Sequence, residues 1–304
     1  MQGGAAAGAA MALAGPAALA MRSMETSPQE PWFRVSLAEW SLHRTLRKSK
    51  ADGGITNLEF PSFAKKTCGV DGIEYVNAFF KSPGQDGKPV ARGMDFGYLR
   101  DLDGAVRDAG VESLLIMVDG EGQLGDADEG RRREAVENHF KWVAAAAYLG
   151  CHSIRVNAGG KGGREELAAR AADSLRRIAR VSDGYDINVI VENHGGLSSD
   201  GAWLADVMKR ADHPRVGTLP DFGNFYEYDR YQGVTDLMPY AKAVSAKSYE
   251  FDVAGDETKI DYSRMLQIVK DAGYRGWIGI EYEGNDGDEV AGIQATKALL
   301  ERLR

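Results

Sequence analysis

Cysteine is scarce in this sequence. Cys68 and Cys151 are the two in 304 residues, so at most one disulfide can form and a bridge-stapled scaffold is excluded. Their spacing matches no zinc motif, and both stand among small residues near predicted strand starts, which reads as two buried thiols. Histidine is also sparse, at five residues, most of them away from predicted strand ends. Basic charge is in deficit: 37 Lys and Arg against 45 Asp and Glu leave a formal net charge of -8. That disfavours a nucleic-acid backbone as the main partner. Beyond the N-terminal leader, no segment approaches the apolar length of a membrane span. No proline- or serine-rich stretch divides the chain, and the 37 glycines gather at turns. One large domain is the expectation.

Residues 1–30 differ in kind. "MQGGAAAGAAMALAGPAALAMRS" carries no charge before Arg22, and Ala18 to Ala20 has the small-x-small form of a cleavage site. The stretch is too weakly hydrophobic for a stable membrane helix and lacks a positive n-region. It resembles the back half of a twin-arginine export signal whose Arg-Arg pair would lie upstream of Met1, with the start codon misplaced. Export to the periplasm and removal of the leader are expected; a cytoplasmic protein with a disordered Ala/Gly leader is the alternative. The fold is therefore sought in residues 31–304.

There, eight strand-like apolar runs recur at intervals of roughly 27 to 40 residues, the length of one strand–helix unit. They are "FRVSLAEWS" from Phe33, "GIEYVNAFF" from Gly72, "ESLLIMVDG" from Glu112, "HSIRVNAGG" from His152, "NVIVENHGG" from Asn188, "RVGTLPDFGNF" from Arg215, "KAVSAKSYEF" from Lys242 and "WIGIEYEG" from Trp277. Between them the apolar period becomes helical. Val136, Phe140, Val143 and Ala147 form one stripe, and Leu167, Ala171, Leu175 and Ile178 another. Leu266, Ile268 and Val269 mark a third helix that ends at Gly273. Eight such units in about 270 residues predict an α/β fold, a single (β/α)8 TIM barrel; a doubly wound open sheet is the rival.

In such a barrel the active site gathers at the C-terminal ends of the strands. Strand five ends in Glu192 and His194, strand six in Asp221, and strand eight in Glu281; strand seven runs through Ser245 to Lys247. Three converging carboxylates repel one another unless a cation joins them, so Glu192, Asp221 and Glu281 are candidate ligands of a divalent metal, Mn, Mg, Co or Zn. Oxygen ligation suits the harder ions. His194, on the same face as Glu192 if the strand continues that far, is a fourth ligand, an acid/base group or a capping histidine. Lys247 polarises a substrate oxygen or pairs with Glu281 or Asp221. Trp40 and His43 past strand one, Glu74 and Asn77 at strand two, Asn157 at strand four and Asn224 past strand six are candidates for sugar binding. "GEGQLG" from Gly120 matches a dinucleotide fingerprint in letters only, because no apolar helix start follows it. "GGKGGREE" from Gly159 lacks the phosphate-loop spacing and reads as a flexible loop over the site.

"VIVENHGG", "GTLPDFGNF", "VSAKSYEFD" and "GWIGIEYEG", in this order and spacing, resemble the xylose isomerase-like TIM barrels. This sugar phosphate isomerase/epimerase superfamily also includes the AP endonuclease 2 type. The resemblance runs from about Phe33 to the C-terminus. It implies a divalent metal held by Glu192, Asp221, the residue at Ser245 and Glu281, and proton abstraction next to a carbonyl through an enediolate. Glu192 and Glu281 would be the acid/base pair, and Lys247 would polarise a substrate oxygen. Two positions depart from the family pattern: its H-x-K reads Ser245-Ala246-Lys247, and the frequent histidine after the strand-six aspartate is Asn224.

The implied activity is a metal-dependent sugar isomerase or epimerase with a small sugar as substrate, and a homodimer is among the assemblies such a barrel allows. Export would disfavour a phosphorylated one. A keto-glycoside lyase or hydrolase on the same residues is the runner-up, and a non-catalytic sugar-binding barrel is a further alternative. An abasic-site endonuclease would need a histidine-rich multi-zinc site and a basic groove, and the composition opposes both.

Overall fold

Each apolar run is bounded by turn residues and followed by a stretch of helical period, which is why the chain folds as repeated strand–helix units. The computed structural model describes residues 31–80, 95–285 and 287–304. The leader expected in residues 1–30 lies outside the described residues. The strands are β1 (Arg34–Ala38), β2 (Gly72–Val76), β3 (Glu112–Met117), β4 (Ser153–Val156), β5 (Asn188–Glu192), β6 (Val216–Leu219), β7 (Val244–Ser248) and β8 (Trp277–Tyr282). They pair in parallel in the order β6-β5-β4-β3-β2-β1-β8-β7.

The two ends of that order, β6 and β7, meet through flanking residues. Parallel bridges join Thr218 to Ala241 and Asp221 to Ser245. The Ser245 amide donates to the Pro220 carbonyl at 2.9 Å and the Phe222 amide to the Ser245 carbonyl at 3.1 Å. The architecture is a single (β/α)8 barrel, and Trp32–Arg304 forms one compact unit.

Aspartates set most helix starts. Asp95, Asp128, Asp200, Asp229, Asp261 and Asp288 each accept from a first-turn amide of the helix that follows, satisfying a donor the helix cannot pair internally. The first crossover departs from the pattern, running as short pieces such as Glu39–Leu42, His43–Arg47 and Phe60–Phe63. Its start is pinned by Glu39, which accepts from the Val76 amide and from Asn57 Nδ2, both at 2.9 Å.

Helix faces and strands supply a continuous apolar core, including Leu102, Val143, Leu175, Ile178, Leu204 and Leu300. Cys68 and Cys151 are buried free thiols within it; burial pushes the Cys68 thiol up to about 12. Glu74 proves to be central in β2, with Ser36 Oγ donating to its Oε1 at 2.6 Å. A Cβ on Gly279 would come within 2.4 Å of that carboxylate, so the missing side chain on β8 makes room for it. Among the described residues, no helix is long and apolar enough to cross a membrane.

Candidate active site

Register assembles the site. Partnered positions on neighbouring strands project to the same side of a sheet. Lys247 is partnered with Glu281 and Ser245 with Gly279. Asp221, two residues past β6, bridges to Ser245, and Glu192 is the last residue of β5. One carboxylate oxygen from each of Glu192, Asp221 and Glu281 lies within 4.8 Å of the other two, and all three residues are buried.

Two buried cations balance this cluster. Lys247 Nζ donates to Glu281 Oε1 at 2.7 Å and lies 3.3 Å from Glu283 Oε2 and 3.8 Å from Asp221 Oδ2. Burial opposes its charge, but Asp221, Glu281 and Glu283 together hold its pKa well above the usual lysine value. Arg155 on β4 is the second. Its Nη1 donates to Asp119 Oδ1 at 2.7 Å. Its Nε sits 2.8 Å from Glu192 Oε2 at an angle that makes no hydrogen bond, so neither atom has a hydrogen-bond partner.

Ser245, where the resemblance expects a histidine, directs its hydroxyl toward Asp221 Oδ2 (2.8 Å) and Glu281 Oε2 (3.1 Å). Asp221 Oδ1 accepts from the amides of Gly223 and Asn224, each at 2.8 Å. Asn224 Nδ2 donates to Glu192 Oε1 at 3.0 Å.

Burial pushes the Glu192 and Asp221 carboxyls up to about 7, with Arg155 opposing at the first and Lys247 at the second. Glu281 moves the other way: despite equal burial, the Lys247 charge and hydrogen bond hold it below the ordinary carboxylate value. Neighbouring acids whose surroundings push their pKa values apart can divide acid and base roles between them.

The remaining candidates are distributed around this centre. β5 stops at Glu192, and Gly195 and Gly196, with φ of 89° and 57°, turn the chain away. His194 is therefore exposed and does not join the buried triad. Partial desolvation, then the Arg155 charge, hold its pKa below the usual imidazole value. The Trp40 indole donates to Glu283 Oε1 at 2.5 Å and stacks on His43 with ring centroids 4.8 Å apart. Asn77 bonds the Asp119 backbone in both directions, and Asn157 Nδ2 donates to Asp119 Oδ1 at 2.7 Å. Glu74 lies in the barrel interior, where burial pushes it up to about 7.

Sequence reasoning passed over Arg155, Asp119 and Glu283. The available signal was a charged residue inside the apolar run "HSIRVNAGG", in phase with Asn157, and a second glutamate two residues beyond Glu281. The "GGKGGREE" segment is bonded to its neighbour: the Gly125 amide donates to the Gly159 carbonyl at 2.7 Å. A Cβ on Gly160 would come within 2.6 Å of the Gly125 carbonyl oxygen, so the two glycine-rich loops need their glycines to approach.

Glu39 gives a stability test separate from the metal question. Burial, the largest influence, raises its pKa from 4.5 to about 8 against hydrogen bonds from Val76 and Asn57. The folded state therefore favours the protonated form. That contribution is fully present below about pH 4.5 and is lost as pH rises through about 8. In urea titrations at pH 5 and pH 8.5, the wild type should lose stability relative to Glu39→Gln by on the order of 2–4 kcal/mol. Parallel pH profiles would refute the assignment.

Comparison with known proteins identifies the family and the fold. A protein of Danio rerio named as a hydroxypyruvate isomerase is 24% identical over 223 residues, 64% of this chain and 79% of that one. The structure of L-ribulose 3-epimerase superposes with a TM-score of 0.68 at 15% identity, covering 88% of this chain and 93% of the other. The IOLI protein, solved with a bound zinc atom, gives a TM-score of 0.66 at 15% identity over 89% and 97% of the two chains. At these identities the structural matches establish the fold. The family model for the xylose isomerase-like TIM barrel spans residues 63–304, which include seven of the eight strands and every carboxylate of the buried cluster: the chain belongs to that family.

Proposed function

We propose that this protein is a sugar isomerase or epimerase that moves a proton on the carbon next to a ketose carbonyl, with a divalent metal held by Glu192, Asp221 and Glu281. The observation that carries this reading is the buried triad, three carboxylates from three strands within 4.8 Å, set between two fixed cations. The donor set fits a hard divalent ion: it is all oxygen and anionic, and Glu192 Oε2 has no hydrogen-bond donor. Ser245 adds an oxygen where an imidazole would stand, which favours Mg or Mn over softer ions.

When bound, such an ion supplies Lewis-acid polarisation of neighbouring substrate oxygens. Glu281, kept ionised by Lys247, takes the proton. Glu192, held by Arg155 at 2.8 Å and by Asn224 at 3.0 Å, exchanges the second proton. Lys247, fixed by Glu281 and Glu283, faces the charge that develops on the substrate oxygen. The isomerase and epimerase names of the relatives support a ketose or hydroxy-keto substrate.

The test is proton exchange. The protein, loaded with Mg²⁺ or Mn²⁺, is incubated with D-fructose, D-tagatose or L-ribulose in D₂O, and loss of the proton next to the carbonyl is followed by NMR. Exchange with near-stoichiometric metal by elemental analysis is expected. A protein that takes up no metal and exchanges no proton would overturn the reading, and retained sugar affinity without exchange would mark a binding barrel instead.

A further inference from the structure

The loops that follow β5 and β6, with the start of the helix Arg164–Ser182, line a cavity of about 680 Å³, within the range of about 300–1,000 Å³ usual for small-molecule sites. Its walls include Arg164, Ser199, Asp200, Tyr226, Glu227 and Tyr228. Two residues, Ser199 and Asn224, link it to the reacting centre. Ser199 Oγ donates to the Asn224 carbonyl at 2.6 Å, and the Asn224 side chain donates to Glu192 Oε1 at 3.0 Å.

We propose that this cavity is a subsite for a second sugar ring, so that the substrate is a ketose unit carried in a glycoside. This rests on the ketose reading above and names its substrate class. Two tyrosines offer what a sugar ring needs, an aromatic face for its C–H side beside polar groups for its hydroxyls. The Tyr226 side is open, with 74% of the residue exposed. The Tyr228 hydroxyl donates to Asp236 Oδ2 at 2.7 Å, so its ring is already ordered and little entropy is lost on contact.

Charge selects against the other ligand of this size, a phosphate group. Arg164 is neutralised by Asp200 at 2.8 Å, and Glu227 leaves the walls named here with a net negative charge. Two helices start at this wall. Gly201–Ala211 is capped by Asp200 Oδ1, which accepts from the Trp203 amide at 2.9 Å. Arg164–Ser182 has no side-chain cap but carries Glu165 and Glu166 in its first turn, which oppose an anion there. Neutral hydroxyls can both donate to these carboxylates and accept from the guanidinium.

Calorimetry on the metal-loaded protein with D-fructose, lactulose and isomaltulose tests the subsite, since the two disaccharides are fructose units bearing a second ring. In the wild type, at least one disaccharide should bind about tenfold more tightly than fructose. Tyr226→Ala and Glu227→Ala should each erase most of that gain while leaving the fructose affinity within about twofold. Fructose binding with no gain for either disaccharide overturns the subsite alone. Equal losses for all three sugars in Tyr226→Ala also overturn it. Failure of every sugar to bind the wild type overturns the ketose reading together with the subsite.

Discussion

Glu192→Gln should slow solvent-deuterium exchange into a bound ketose by about 10²- to 10⁴-fold, the usual contribution of a positioned acid/base group. Glutamine preserves the shape, and its amide oxygen can still accept from Asn224, which bonds Glu192 Oε1 at 3.0 Å. What it removes is a titrating oxygen and one of three negative charges. Metal uptake should fall in the same variant, read by elemental analysis on protein purified without chelator. Glu281→Gln should be at least as damaging to exchange, because Lys247 Nζ, 2.7 Å from Glu281 Oε1, would lose its main counter-charge. Exchange at the wild-type rate in folded, metal-loaded Glu192→Gln would remove that residue from the chemistry.

The second large effect is on stability. Arg155→Met leaves the buried Glu192 carboxyl without the guanidinium 2.8 Å away and frees Asp119 of its 2.7 Å hydrogen bond. Breaking a buried pair by removing one partner costs about 3–5 kcal/mol, because the remaining charge is stranded away from water. The loss should appear as a lower urea midpoint with an unchanged m-value. Adding Glu192→Gln should restore a large part of it, since the stranded charge is then gone. The difference between the single and double variants gives the coupling between the two residues. An Arg155→Met protein as stable as the wild type would show that Glu192 is held by other means.

Those two expectations draw on different sources of information. Glu192, Asp221 and Glu281 were legible in the chain because each follows an apolar strand run directly, and a carboxylate in that setting needs a counter-charge or a metal. Arg155 was not. It lies inside a run that reads as buried core, and nothing local to "SIRV" names the partner, since Glu192 and Asp119 come from other strands. Glu283 was hidden in the same way: it reads as loop, yet it accepts the Trp40 indole hydrogen and lies 3.3 Å from Lys247. His194 was legible only conditionally, as a ligand, an acid/base group or a cap if the strand ran on. β5 ends at Glu192, which leaves His194 outside the carboxylate triad but within electrostatic reach of Arg155, Asp119 and Glu281.

The sequence by itself determined the repeated strand–helix unit, and hence the barrel, because hydrophobic period, aspartate caps and glycine turns act within a few residues of one another. It also determined which carboxylates end β5 and β8. The tertiary structure decided which charges face which. Ser245 stands between Asp221 and Glu281, Lys247 reaches Glu281 through the β7–β8 register, and Arg155 crosses to Glu192. Those pairings depend on strand register and barrel closure, which bring residues dozens of positions apart to within hydrogen-bond distance, and no local pattern encodes such distances.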